Sequence, residues 1–263
     1  MRRILCPQLP KANRPALLVE SEAKHATQVL RLSDGDTVEA IDGQGQAIAA
    51  ILRTLHGPVR LELPHTQETP LLARQSPQGS VLPVVLEMGI LKGDAMEWVV
   101  EKCVELGVKT LIPVTTDHTV VQTKNKGPEA FQERWQKIAD QALKQCGRLD
   151  RMEVQLPQRL SLVLKDAPQN AQRIRFFCDE LTTDNPNTLI HACRSVLLRE
   201  EYRILIGPEG GWSRAERDLL TKEASRINLS PLVLRAETAA IFSVSLLTAS
   251  LRDAALLTTV AGS

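Results

Sequence analysis

The chain has 263 residues, 43% hydrophobic but only 3% aromatic, so any large core must be built from Leu, Val, Ile and Ala. A formal net charge of +1 excludes a global basic field as the means of holding nucleic acid, so Arg and Lys would have to act locally. Five cysteines at 6, 103, 146, 178 and 193 form no C-x-x-C pair, which excludes the common zinc spacings, and their odd number argues against a disulfide framework.

The opening MRRILCPQLPK has no apolar run of the kind a secretory signal needs. No stretch reaches the ~18–20 apolar residues of a membrane span, so a cytoplasmic protein without membrane or metal is expected.

In chain order, residues 1–63 read as short strands and turns. Ala23–Leu32 is a short helical stretch with Val29 and Leu30 expected to point inward. Thr37–Ile41 and Ala47–Leu52 flank D-G-Q-G at 42–45, a hairpin signal, and Val59–Leu63 is a further strand. A small β-barrel fits this pattern. Residues 64–80 carry three prolines and read as a connection in which Leu71 and Leu72 can still pack. The expected division is a first domain at 1–72, a linker at 73–80 and a second domain at 81–263.

From 81 onward strands and helices alternate. Val81–Leu86 is a strand, and Asp94–Leu106 a helix started by Asp94 and ended by Gly107. Lys109–Val114 is a strand. Pro128–Cys146 is a helix, with Phe131, Trp135, Ile138, Ala142 and Cys146 at three- and four-residue steps, Pro128 in the first turn and Gly147 at the exit. Cys103 and Cys146 are expected as small buried hydrophobes. Ile174–Cys178 is a strand, Thr188–Arg199 a helix and Tyr202–Ile206 the next strand. This alternation predicts an α/β fold, a mostly parallel sheet with helices on both faces.

Residues 202–216, YRILIGPEGGWSRAE, join that strand to a glycine turn and a helix start, with Ser213 and Glu216 spaced as a capping box. A Gly-rich turn at the carboxyl end of a strand brings bare backbone groups close to a ligand. The turn lacks the residues of a phosphate-binding Walker loop and the spacing of the dinucleotide fingerprint. By itself it reads either as a cofactor site or as a tight connection with no ligand. Leu232–Leu234 reads as a strand and Glu237–Leu251 as a helix apolar around most of its surface, hence buried and a candidate subunit contact. Arg235 and Glu237 stand at that junction.

These segments together resemble the SPOUT-class methyltransferases, most closely the RsmE-type 16S rRNA uracil-N3 methyltransferases. The resemblance rests on IGPEGG at 206–211, LSPLVLRAETA at 229–239, KGDAMEWVVEKCVELGV at 92–108, KQCGR at 144–148 and HATQVLRLSDGDTVEAIDGQG at 25–45. Departures are Ser230 where Gly is usual, Leu232 for Arg, Ala236 for Thr, and His118 where the family often carries Arg.

The resemblance implies a PUA-like RNA-binding barrel at the amino end, a trefoil knot at the carboxyl end, a homodimer, and S-adenosyl-L-methionine (SAM) as methyl donor. It places the donor against Ile206, Gly207, Pro208, Glu209, Gly210, Gly211, Leu229, Leu234, Arg235, Glu237, Thr238 and Ala239. Methylation of uracil N3 requires loss of a proton and a cation for the charge left on O2 or O4. Arg235 is the first candidate and Arg148 the second, while Glu209 is a candidate to position the base or assist proton removal. Arg2, Arg3, His25 and Arg31 are candidates for contacts with 16S rRNA in the small ribosomal subunit or its precursor. Trp212 can stack on a base or fill the core. Rival readings are methylation of another RNA, an RNA-binding assembly factor without turnover, and a small-molecule nucleotide binder.

Overall fold

The computed structural model describes residues 1–64, 73–77, 80–121, 127–166, 172–180, 189 and 200–261, with side chains described as far as 253. Leu71, Leu72, Cys193 and the helix expected at Thr188–Arg199 lie outside the described residues. The chain divides into two units. One is Met1–Ser80 with Asp140–Arg151, and the other is Val81–Ala139 with Met152–Ser263.

The first unit contains β1 (Arg2–Leu5), β2 (Ala16–Leu17), α1 (Glu20–Lys24), β3 (Thr37–Ile41), β4 (Gln46–Arg53), β5 (Arg60–Glu62) and β6 (Arg74–Gln75). The sheet runs β1-β3-β4-β5-β2, with β6 also on β4. The β3–β4 hairpin forms as expected, with Asp42 Oδ1 accepting from Gln44 N at 2.7 Å and Gln46 N at 2.9 Å. Ile4, Val38, Ala40, Ala50, Leu52 and Leu61 fill the core under it.

Three expectations change here. Arg74–Gln75, read as linker, pairs with Ala47 and Gln46 of β4. Val29 does not point inward and is 67% exposed, while Ala26 takes the buried position. The cause is a π-helical turn at His25–Val29, closed by Leu30 N donating to His25 O at 2.9 Å. A five-residue turn rotates every later side chain off the 3.6-residue pattern. Finally, Asp140–Arg151 clusters with this unit instead of with the rest of 81–263. Lys144 Nζ meets Glu22 Oε1 at 2.7 Å, Gly45 N donates to Leu149 O at 3.3 Å and Arg151 N to Gly43 O at 2.8 Å.

The second unit contains β7 (Val84–Gly89), α2 (Asp94–Leu106), β8 (Thr110–Thr115), the helix α3 (Pro128–Cys146), β9 (Glu153–Val154), β10 (Gln158–Arg159), α4 (Leu160–Asp166), β11 (Arg173–Cys178), β12 (Glu201–Ile206), α5 (Arg214–Glu223), β13 (Ser225–Ile227) and α6 (Ala236–Ala261). Only Pro128–Ala139 of α3 counts with this unit. The sheet order is β10-β8-β7-β12-β11-β13, with β9 also on β8, and all these pairs are parallel. On one face Val85, Ile112, Val114, Phe177 and Leu205 pack with Leu160, Val163 and Leu164 of α4 and Leu220 of α5. α6 packs against β7, β12 and α2, placing Ala240, Val244 and Leu247 in the interior. Helices therefore cover both faces, as the alternation predicts.

β7 begins three residues later than the predicted Val81 and runs on to Gly89. Asp94 is the first helical residue of α2 and makes no cap bond; Gly93 occupies the cap position, while Gly107 ends the helix in the left-handed conformation. Cys103 is buried as expected, but Cys146, in the last turn of α3, is exposed. Leu232–Leu234 forms no strand. Pro231 precedes it, Leu232 N donates to Ser230 Oγ at 3.0 Å instead of to a neighbouring strand, and Leu232 and Val233 are largely exposed. Among the described residues no helix is long and apolar enough to cross a membrane.

Candidate active site

Strand order reverses at β7, since β8 lies to one side of it and β12 to the other. In open parallel sheets ligands bind beyond the carboxyl ends of strands at such a switch point. Here the segments leaving β7, β11, β12 and β13 enclose a cavity of about 640 Å³. Ile206 to Trp212 form one wall, Asn228 to Ser230 and Leu232 to Glu237 with Ala239 the opposite one, and Cys178 to Glu180 with Ala95 the remainder.

The glycine turn is held from several directions. Gly211 N donates to Pro208 O at 2.9 Å. Ser213 caps α5, with its Oγ accepting from Glu216 N at 3.2 Å and its N donating to Glu216 Oε2 at 2.9 Å, which is the expected capping box. Glu216 Oε1 also accepts from Asp117 N at 2.9 Å. On the β7 side, Gly89 lies so close to the turn that a Cβ there would stand 2.5 Å from Pro208 N.

Trp212 is a wall of the cavity and not a base-stacking group. It is 2% exposed, and its Nε1 donates to Cys178 O at 2.9 Å, tying the turn to the end of β11. Asp179 is buried and accepts from Arg217 Nε at 3.2 Å and Arg226 Nε at 3.0 Å, while Glu180 Oε1 accepts from Arg217 Nη2 at 2.9 Å. Burial and the neighbouring Asp179 carboxylate push the Cys178 thiol well above its ordinary range, so it stays protonated at neutral pH.

Ile206, Gly207, Pro208, Glu209, Gly210, Gly211, Leu229, Leu234, Arg235, Glu237 and Ala239 all line this cavity. Thr238 does not; it lies exposed in the first turn of α6. Glu209 Oε1 accepts from Lys92 N at 2.9 Å, which anchors the turn to the loop after β7. Arg148 is buried in the first unit and lines no part of the cavity. Cys178, Asp179 and Glu180 were missed by sequence reasoning, although a Cys-Asp-Glu run at the carboxyl end of a predicted strand is the signal that finds them.

In the first unit, Arg2 and Arg31 are exposed, and Arg31 holds a left-handed φ of 53°. Arg3 is committed within the fold. Its Nε meets Glu39 Oε2 at 2.9 Å and its Nη1 donates to Lys144 O at 2.8 Å and Gln145 O at 3.1 Å, a cation at the end of α3. His25 is half-buried; burial and then Lys144 lower its pKa, against a smaller opposing effect of Glu22.

With this geometry in hand, the comparisons with known proteins acquire a structural meaning. The family described as RNA methyltransferase domain matches residues 78–248, and that described as RNA methyltransferase PUA domain matches residues 20–55. A Bacillus subtilis protein named ribosomal RNA small subunit methyltransferase E is 27% identical over 228 residues, covering 85% of this chain and 86% of its own. The protein of that name from Synechocystis is 28% identical over 240 residues, 90% of this chain and 73% of its own. Among solved structures, a Legionella pneumophila methyltransferase in complex with bound SAM superposes with a TM-score of 0.77 at 25% identity, covering 94% of this chain and 97% of that one. A ribosomal RNA small subunit methyltransferase E from Neisseria gonorrhoeae shares the fold with a TM-score of 0.74 at 23% identity, covering 95% and 97%. The first of these family matches spans well over half of the chain and includes the cavity, so the chain belongs to the RNA methyltransferase family.

Proposed function

We propose that this chain transfers a methyl group from S-adenosylmethionine to N3 of a specific uridine in 16S rRNA, acting in the cytoplasm as a homodimer. The observation that carries the reading is that IGPEGG and the L-R-x-E-T-A segment, separated in sequence by α5 and β13, both line one cavity. The residues present fit a nucleoside-sized sulfonium donor. The volume is in the usual range for small-molecule sites. Leu229, Leu234 and Ala239 supply an apolar wall, and the turn at 207–211 supplies backbone polar groups. The trefoil knot belongs to the same reading.

When bound, the donor supplies an already activated methyl group. The chain must then hold the nucleophile in line and exclude water. N3 lies on the Watson–Crick edge, so the uridine must be unpaired or turned out of its stack. Arg235, exposed and lining the cavity, supports a role in steadying charge on O2 or O4. Arg2 and Arg31 are the amino-terminal side chains left open for phosphate.

Arg235→Ala is expected to cut methyl transfer by about 10²–10³-fold with little change in SAM affinity by calorimetry. Equal losses in both would make Arg235 a binding residue. Exposed apolar groups on α2 and α6, Trp98 and Phe242, support the dimer, and light scattering that finds only monomer would remove it. The whole reading is tested by mass spectrometry of ribosomal RNA from cells lacking the gene. N3-methyluridine should be missing from the small-subunit RNA; its undiminished presence there refutes the assignment.

A further inference from the structure

The loop after β8 lays His118 against the glycine turn. Its Nδ1 is 2.8 Å from Gly210 O. A methyl group on Gly210 would stand 2.8 Å from His118 Cβ, so the bare glycine is what lets the imidazole approach. The loop is fixed from its other side as well. Ser213 Oγ donates to Asp117 Oδ2 at 2.6 Å, Asp117 N donates to Glu216 Oε1 at 2.9 Å, and Thr116 N donates to Thr119 Oγ1 at 2.8 Å.

A carbonyl oxygen only accepts, so Nδ1 must carry the proton in this contact. With Nδ1 so engaged, Nε2 is the ring nitrogen left to accept a proton, and exposed His118 is joined through this bond to Gly210, a residue of the cavity wall. The geometry points to His118 as the base that removes the N3 proton of the target uracil. This inference rests on the proposed N3 methylation and adds to it the proton acceptor. The N3–H bond breaks and the proton passes to Nε2, giving an imidazolium. The electron pair on N3 forms the new bond to the methyl carbon, and the pair of the broken carbon–sulfur bond remains on sulfur. The imidazolium then returns its proton to water.

The nearby carboxylates are less suited. Asp179 is held by Arg217 and Arg226, Glu180 by Arg217, and Glu209 by Lys92 N. Glu216 accepts from Asp117 N and Ser213 N. Glu237 stands in the first turn of α6, where its charge complements the positive end of the helix dipole. An imidazole is also better matched than a carboxylate to a weakly acidic N–H.

His118→Asn tests this, because the amide keeps an N–H for Gly210 O and has nothing in the place of Nε2. Single-turnover transfer to small-subunit RNA at pH 7 should fall about 10²-fold, with SAM affinity within about twofold of wild type by the same calorimetric scale. The decline in rate toward acid pH that this role predicts for wild type should be absent from the variant. Among the described residues the charged groups near the ring are Asp117 on its own loop, Glu216 on α5 and Glu209 in the turn. Nitrogen-15 NMR of the protein without RNA should show Nδ1 protonated and Nε2 bare.

A variant with wild-type rate and pH profile would reduce His118 to a cover on the turn and overturn the assignment. A parallel loss of SAM affinity, or an Nε2-protonated ring, would overturn it equally. Wild-type protein that binds SAM but methylates no RNA would bring down the proposed function itself, a result separable from any behaviour of the variant.

Discussion

Glu87→Ala is expected to destabilise the protein by about 3–5 kcal/mol, the usual cost of removing one partner from a buried ion pair. Glu87 lies mid-strand in β7 with no exposed surface. Its carboxylate accepts from Arg175 Nε at 2.8 Å and Nη2 at 2.9 Å on β11, and from Arg203 Nη1 at 2.8 Å on β12. Arg203 is shared with Glu201, 2.6 Å away, and Arg173 meets the same Glu201 at 2.8 Å. One buried acid thus bridges two guanidinium groups across parallel strands, with Glu201 as Arg203's second partner, inside a face otherwise made of Val85, Phe177, Leu205 and α4. Removing it leaves two buried cations without that counter-charge, and no water is at hand to solvate them. Urea unfolding followed by circular dichroism measures the effect. A loss below about 1 kcal/mol, the scale of an exposed pair, would mean the arginines find other partners.

Gly89→Ala is expected to leave the fold intact and weaken SAM binding by about tenfold or more, roughly 1.4 kcal/mol. The added Cβ would meet Pro208 N at 2.5 Å, Pro208 Cδ at 2.7 Å and Gly207 C at 2.8 Å. Two of these three atoms are backbone, so no rotamer change relieves the clash. The end of β7 or the turn after β12 must move, and that turn is a wall of the cavity. Calorimetry on the folded variant decides the matter. An unchanged dissociation constant would show that the turn tolerates displacement, and would place the donor elsewhere.

What could be read from the residues follows from how local the controlling physics is. α2 and α3 run over the predicted residues, Asp94–Leu106 and Pro128–Cys146, because periodic apolar faces and terminal glycines act within a few residues. The Ser213–Glu216 box is equally local. Val29 was misplaced because a single π-helical turn breaks the period without any mark in composition. Leu232–Leu234 has the apolar run of a strand, yet no neighbouring strand receives it. The predicted strand at Val81–Leu86 stopped short of Glu87, because a carboxylate inside a parallel sheet is intelligible only once Arg175 and Arg203 are seen beside it. Most of the cavity lining was legible through the two motifs. Asp179, Glu180 and the seat of His118 on Gly210 were not, since they arise where separate strand ends converge.

α3 has a consequence for how such a protein can be rearranged. Pro128–Ala139 serves one unit and Asp140–Cys146 the other, and the loop to Arg151 completes the amino-terminal one. Leu143 and Leu149, both buried, come from this distant stretch, and Arg3 and Arg74 bond to carbonyls of Lys144 and Gly147 within it. Grafting the amino-terminal module onto a foreign enzyme would therefore require two transplanted pieces of chain, and a single recombination point near Ser80 would deliver an incomplete one.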